Sequence, residues 1–322
     1  MQKGDRAGYA LAFLAPFVWS LTSPGLSYLL THYHVPALTL AFWRDAVIAA
    51  ACLAAIGLLR PPLLRATWRE LASFAVIGAV SIGIYHGLWI WSVALNGAAV
   101  AVVMIFLYPT FVSIGSRVLF REPLRWQHVV ALALSLTGCA LIVRLYDPAV
   151  FRANWLGALV GLLTALTHSV YVLFSQRSVQ SRSPWTSLTY TFLFGSLVLL
   201  ALTLLLTPGQ LFAVGETAAP WLAILFISLG PTLGGYAIFT LALRSVPSKL
   251  ASLIAVLEVP LATLIAVLFL GERLEWPQAL GIALILIAII LPQLLRSELR
   301  RSDSQAARQS AGQADEAPVL PA

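Results

Sequence analysis

The sequence predicts an all-α polytopic membrane protein, with ten transmembrane helices built as two inverted five-helix repeats. Three observations lead there. Hydrophobic residues make up 60% of the 322 and charged residues only 10%. A soluble domain carries about 45–50% and about 25%, so lipid is the solvent of this chain. The second observation is an internal echo. Val118 to Trp126 reads VLFREPLRW and Val267 to Trp276 reads VLFLGERLEW, and each closes an apolar stretch that carries a proline, Pro109 or Pro260. Upstream, GLWIWSVAL from Gly87 meets GYAIFTLAL from Gly235, and Gly8 with Trp19-Ser20 meets Gly157 with His168-Ser169. Partners lie between 147 and 151 positions apart. The third is a count: five apolar stretches per copy, an odd number that places the second copy upside down in the bilayer. Inverted repeats are the architecture of secondary transporters, with a substrate site near the midplane between them.

A bilayer core of about 30 Å needs about 20 apolar residues as a helix. Residues 8–30 supply the first span; the short basic stretch before it lacks an A-x-A-like cleavage site, so it reads as a span and not as a signal peptide. Residues 36–59 and 70–93 follow, the second with Gly83-x-x-x-Gly87, a pattern that lets helices approach closely. Residues 98–119 and 127–145 complete the first copy. The second copy opens with 154–175, which carries Gly157-x-x-x-Gly161, and continues with 185–206. Residues 218–242 carry Gly230-x-x-x-Gly234, and 250–270 and 277–295 close the set. All ten read as helices, since none alternates as a lipid-exposed barrel strand does. Pro16, Pro24, Pro109, Pro231 and Pro260 each remove a helix hydrogen bond and permit a kink. Cys52 and Cys139 lie inside spans without metal or redox spacing and read as inert small core residues.

Charge sets the orientation. With the N-terminus inside, 16 of the 20 Lys and Arg fall in cytoplasmic segments, three (Arg144, Arg152, Arg273) in outer loops, and Arg44 within a span. That bias fits the positive-inside rule with both termini cytoplasmic. It also excludes nucleic acid as the reason for the +7 charge, because the basic residues flank spans and form no domain. The repeats take residues 1–150 and 151–296. Residues 297–322 are too polar to bury a core and read as a disordered cytoplasmic tail.

A few polar residues fall inside the spans. Glu258 lies about 13 Å and about 20 Å from the two ends of its helix at 1.5 Å per residue. An ionised carboxylate there is unfavourable by several kcal/mol unless paired, so it should face the bundle interior or a wet cavity. It is either a proton-coupling or substrate-amine group, or a structural acid bonded to backbone freed by Pro260. Arg44 is the candidate cavity cation, able to hold a carboxylate with its planar fork. The alternative is a buried pair with a carboxylate on a neighbouring helix, Glu258 included. Adjacent Asp45 points about 100° away, so the two are not expected to neutralise each other. His86 and His168 are either hydrogen-bonded core residues or cavity groups; His168 echoes Trp19, so if Trp19 lines the cavity, His168 should line it from the opposite side. Tyr85, Trp89, Trp91, Tyr171 and Tyr236 offer aromatic walls for an amphiphilic solute or a cation.

Two copies of AL…(L/I)…P…LF…E.L.W.Q, from Ala94 to Val143 and in ALRSVPSKLASLIAVLEVPLATLIAVLFLGERLEWPQALGIALILIAII, resemble the EamA-type repeat. That repeat defines the ten-helix bacterial branch of the drug/metabolite transporter superfamily, and Phe42-Trp43-Arg44 looks like that branch too. The resemblance covers residues 8–295 and implies export of amino acids, other metabolites, dyes or drugs. Pro260 sits one residue later than the usual Glu-Pro pair, and Tyr108 stands where the second copy has Glu258. The first copy also runs two residues short between Ala94 and Tyr108.

No GxxxxGK[ST] loop, HExxH, intramembrane protease pair or TVGYG filter occurs, so the chain reads as no enzyme, no channel and no ATP-driven pump. The expectation is a secondary exporter of a small organic solute in the cytoplasmic membrane of a bacterium. Its substrate site would draw on Trp19, Arg44, Trp89, Tyr108, His168, Tyr171, Tyr236 and Glu258, with Glu258 coupling to protons. No cofactor or metal is called for. The expected partners are the solute, the lipid bilayer and protons, and a homodimer stays open. Uptake or exchange by the same fold, or a membrane scaffold, are the competing readings. A scaffold would consume its polar groups pairwise; a carrier would converge them from both halves on one cavity. A cysteine placed in the loop at Tyr33 should react with an impermeant thiol reagent added outside intact cells, and one placed after residue 300 should not; a labelled tail would overturn this orientation.

Overall fold

The computed structural model describes residues 3–96, 98–123, 126–148, 155–270 and 274–291. Fifteen α-helices account for almost all of them. The first copy holds α1 (Lys3–Trp19), α2 (Thr22–His32), α3 (Ala37–Leu59), α4 (Trp68–Gly78), α5 (Tyr85–Asn96), α6 (Ala98–Ile105), α7 (Tyr108–Leu119) and α8 (Trp126–Ile142). The second holds α9 (Trp155–Ser178), α10 (Pro184–Leu206), α11 (Ala218–Ile227), α12 (Leu233–Ala242), α13 (Ser248–Ala255), α14 (Glu258–Leu270) and α15 (Trp276–Leu291). Seven stretches are long and apolar enough to cross a membrane, α8 and α15 are shorter apolar helices, and α1 with α2 makes the tenth span. The tail expected at 297–322 lies outside the described residues.

Five spans contain more than one helical segment because they break or change register, and in four of them the breaks repeat. In the fourth span α6 stops before Phe106-Leu107, and in the ninth α13 stops before Val256-Leu257. At each stop the ladder tightens to the third residue back: Leu107 N donates to Met104 O at 3.1 Å and Leu257 N to Ile254 O at 3.0 Å. Pro109 and Pro260 then fall in the first turn of α7 and α14, where a missing N–H leaves no intrahelical bond unmade. The sequence reads these prolines as kinks; the chain instead breaks just ahead of them. The third and eighth spans pass through matched π-helical turns, Ala79–Ile84 and Ser228–Thr232, at the same offset as the sequence echo.

The first span departs from the expected unbroken helix. After Pro16 the ladder gives out at Ser20, whose N–H still reaches Pro16 O at 2.9 Å, while Leu21 N turns back to Val18 O at 3.3 Å. Ser20 Oγ caps the end by donating to Phe17 O at 2.7 Å. Its counterpart α9 runs unbroken.

Helix pairing confirms the inversion. α3 packs along α10, the second span of each copy, and Thr203 Oγ1 near the end of α10 approaches Leu38 O at the start of α3. Equivalent helices therefore run in opposite directions. α8 meets α15 likewise, Gln278 Nε2 near the start of one donating to Ile142 O at the end of the other at 3.0 Å. α1 packs on α12, α5 on α9 and α7 on α13, the cross-pairing that a two-fold between the repeats generates. Large apolar residues such as Leu205, Phe226 and Leu268 remain 70% exposed or more, as lipid contact requires.

Close approach is set by glycine at a few crossings. A Cβ on Gly138 would stand 2.6 Å from Gly281 O, and one on Gly83 2.6 Å from Val198 Cβ of α10. The expected Gly230-x-x-x-Gly234 contact does not form: a Cβ on Gly230 would meet only Phe226 at 3.9 Å and one on Gly234 Val18 at 3.5 Å. Those two tolerate alanine. Gly138→Leu should separate α8 from α15 and destabilise by about 1–3 kcal/mol, the usual toll of overpacking; Gly234→Ala should leave the thermal midpoint of the detergent-solubilised protein unchanged.

Candidate functional site

A cavity of about 420 Å³ lies between the repeats where the helices break. Its deep end is aromatic: Trp19 at the end of α1, Tyr108 at the start of α7, His168 in the middle of α9 and Tyr236 on α12. Trp19 stacks edge-on against Tyr236 with centroids 5.2 Å apart, and Tyr108 meets His168 edge-on at 4.6 Å. Gly235 is needed beneath Trp19, since a side chain there would collide with the indole. Arg44, Tyr85, His86 and Trp89 also line it, as do Glu258, Val259 and Thr263 of α14.

Arg44 is held by two neighbours. Its Nε lies 3.1 Å from Asp45 Oδ1, and its Nη2 lies 2.7 Å from His86 Nε2. His86 Nδ1 is 2.7 Å from Asp45 Oδ2. A neutral imidazole with its proton on Nδ1 donates to Asp45 and accepts from Arg44 at Nε2, while Arg44 Nη2 also passes 3.0 Å from Nδ1. Adjacency on one helix thus does not keep Arg44 and Asp45 apart, contrary to the expectation from their 100° separation. The arginine stem is long enough to curl back along α3, and Asp45 is fully buried. The arginine and aspartate charges cancel, and His86 is no lone core histidine.

Glu258 differs. It is the first residue of α14 and faces the cavity. No hydrogen bond or ion pair joins it to another described residue, so Arg44 does not neutralise it. The dipole of the helix N-terminus favours an anion there, although Val259 N and Leu261 N are already bonded to Val256 O and Leu257 O. Tyr108 occupies the corresponding first position of α7 and donates its hydroxyl across the repeat boundary to Ser252 O at 3.2 Å. One break presents a carboxylate, the other a tethered phenol.

Seven of the eight sequence-predicted residues line this space: Trp19, Arg44, Trp89, Tyr108, His168, Tyr236 and Glu258. Tyr171 does not. It is 2% exposed, bonds Thr240 Oγ1 at 2.8 Å and packs edge-on behind Tyr236. Three residues past His168 it shares nearly the same helix face, but its bond to Thr240 and its packing against Tyr236 keep it in the core. Trp91 points outward, 53% exposed. The sequence reading offers Tyr85 only as one wall among many, and it omits Thr22, Thr232, Thr263 and Gln278, which also line the cavity. The paired breaks were the available signal, since they bring the residues beside them to the midplane.

An all-helical polytopic fold, inverted halves and a midplane cavity at broken helices define a secondary-transporter architecture. The profile of the EamA-like transporter family matches residues 6–144 and again 155–292, and the chain belongs to that family. A transporter of Clostridium kluyveri is 24% identical over 234 residues, 71% of this chain and 74% of its own. A protein of Streptantibioticus cattleyicolor named "Probable terminal-alkyne amino-acid exporter" is 28% identical over 275 residues, 84% and 87%. The chloramphenicol-sensitive protein RarD of Pseudomonas aeruginosa is 29% identical over 261 residues, 74% and 80%. A solved crystal structure superposes with a TM-score of 0.77 at 21% identity, covering 91% of this chain and 99% of that one, a likeness of fold alone.

Asp45→Leu leaves the Arg44 guanidinium buried without its counter-charge. The loss should be about 3–5 kcal/mol, read as a large fall in the thermal midpoint of the solubilised protein. Asp45→Leu combined with Arg44→Leu should recover most of it, because removing both charges removes the unpaired one.

Proposed function

We infer that the protein exports a small amphiphilic organic solute, with amino acids and related metabolites ahead of hydrophobic drugs. Transport proceeds by alternating access of the two repeats and is coupled to protons. The observation that carries this reading is the convergence of both repeats on one cavity lined by an arginine, by a carboxylate with no partner among the described residues, and by aromatic faces. A zwitterion matches that pattern: its carboxylate suits the Arg44 fork, and its ammonium suits Glu258 and the aromatic faces. Trp19, Trp89, Tyr108, His168 and Tyr236 complete the substrate site, and Tyr171 serves it by buttressing Tyr236. The amino-acid exporter of Streptantibioticus cattleyicolor, alike over most of both chains, lends support to the substrate class. The same reading takes the two repeats as 1–150 and 151–296. It puts the chain in the cytoplasmic membrane of a bacterium with both termini cytoplasmic, as the lysine and arginine bias favours, and gives it no catalytic role.

Glu258 can couple transport to protons because its two protonation states favour different surroundings. Neutral, it is tolerated in a closed, dry bundle; ionised, it needs water or a cationic ligand. A proton can therefore stand in for the substrate ammonium during the return of the empty carrier, and the bias is limited to the difference in its free energy between the two states. Proteoliposomes offered radiolabelled amino acids under an imposed proton gradient test both claims. Uphill movement is expected for zwitterions, and Glu258→Gln should fold normally yet lose all dependence on the gradient. Transport of lipophilic cations alone would sink the zwitterion reading, and an unchanged proton dependence in Glu258→Gln would reduce that residue to packing.

A further inference from the structure

Among the described residues, the cavity lining runs toward one end of the bundle and not the other. None of its lining residues lies on α13, and α7 contributes only Tyr108. It extends instead between α6, through Val102 and Ile105, and α14, through Ala262 and Thr263. The two-fold that relates the repeats exchanges α6 with α13 and α7 with α14. The open pair, α6 and α14, is therefore the image of the closed pair, α13 and α7, which pack together at the end carrying Arg60, Arg65, Arg182 and Arg244.

What closes that end is specific. Lys249, the second residue of α13, brings its Nζ within 3.1 Å of Glu122 Oε2, just beyond α7, and donates to Pro123 O at 3.1 Å. The lysine approaches the carboxylate as an ion-pair contact, while its aligned hydrogen bond goes to the carbonyl. One turn away, Ser116 Oγ and Ser248 Oγ are 3.0 Å apart. Gln176 Oε1 accepts the free N–H of Ser248 at 2.7 Å and so fixes the start of α13. The chain reaches Glu122 through a left-handed residue, Arg121 at φ 54°, while Glu122 N bonds back to Ser116 O at 3.3 Å. A non-glycine residue holds that conformation against its own preference, and the repeat echo places Gly271 at the corresponding position. Glu122 is the acid of the duplicated motif, and its echo is Glu272. The lysine has no echo. The whole of α6, AAVAVVMI, is uncharged, so α6 offers Glu272 no counterpart to Lys249 when the opposite end closes.

We propose that Glu122 and Lys249 form a one-sided latch of the transport cycle: the pair must break before the cavity can open at the arginine-rich end, and no equivalent pair forms when the other end closes. The carrier with its arginine-rich end shut is thereby the favoured resting state. This inference rests on the alternating-access reading but not on the substrate. Ser252, fully buried between the latch and the cavity, and Thr263, on the open side, serve as reporters. The solubilised protein is labelled with an impermeant maleimide after Ser252→Cys or Thr263→Cys, with the parent carrying only buried Cys52 and Cys139 as background. Glu122→Gln should raise labelling at position 252 about fivefold, the factor one partly buried ion pair supplies, without raising it at 263. Reversing the pair, Glu122→Lys with Lys249→Glu, should restore slow labelling at 252. Unchanged labelling at 252, a rise at both positions, or failure of the reversed pair to restore protection would each overturn the latch. Absence of transport in proteoliposomes would separately refute the carrier reading.

Discussion

A backbone in lipid has no water to bond to, and everything else in this structure follows from that. Each N–H and C=O must be met inside its own segment, which is why the described chain is helical and why its breaks are so few. Where the ladder is interrupted, at Ser20-Leu21, Phe106-Leu107 and Val256-Leu257, the interruption abuts the cavity between the repeats. Only there can a half-helix end without facing hydrocarbon. The constraint thus does more than select a fold: it ties irregular backbone, and the side chains that flank it, to the one polar volume available.

The same scarcity governs charge. Arg44, Asp45 and His86 form a closed set in which an arginine on the cavity wall is oriented by a carboxylate and an imidazole fully committed to it. A guanidinium fixed in this way keeps its fork without rearranging when a ligand arrives, which limits the ordering a ligand must impose. Glu258 lacks such partners among the described residues, so its stability depends on protonation, hydration or an occupant. One charged group is locked by the protein and the other is left responsive.

Much of this was legible in the residues alone. Apolar stretches of fixed length and the echo VLFREPLRW and VLFLGERLEW made the polytopic helical fold and its two-copy make-up readable, because each follows from bilayer thickness or duplication. Glu258 and Arg44 stand out because a charge in a span is rare. The pairing of Arg44 with Asp45 and His86 was not legible, since a helical wheel knows directions but not how far a long side chain can curl. Tyr171 and Trp91 show the other gap: in a membrane helix, aromatic residues suit the core, the cavity and the lipid equally, so composition leaves their facing open.

Duplication followed by divergence at one position has an energetic corollary. Tyr108 and Glu258 open equivalent half-helices, and a phenol, with a pKa near about 10, holds its proton at physiological pH. Under the proton coupling proposed above, a carrier with Glu258 as its one unpartnered cavity carboxylate among the described residues exchanges at most one proton there per turnover. One pH unit then contributes about 1.4 kcal/mol to the work of accumulation, and each 100 mV of membrane potential adds about 2.3 kcal/mol for every net charge moved. Under that coupling, the ceiling on the solute gradient traces to an acid in one copy standing opposite a phenol in the other.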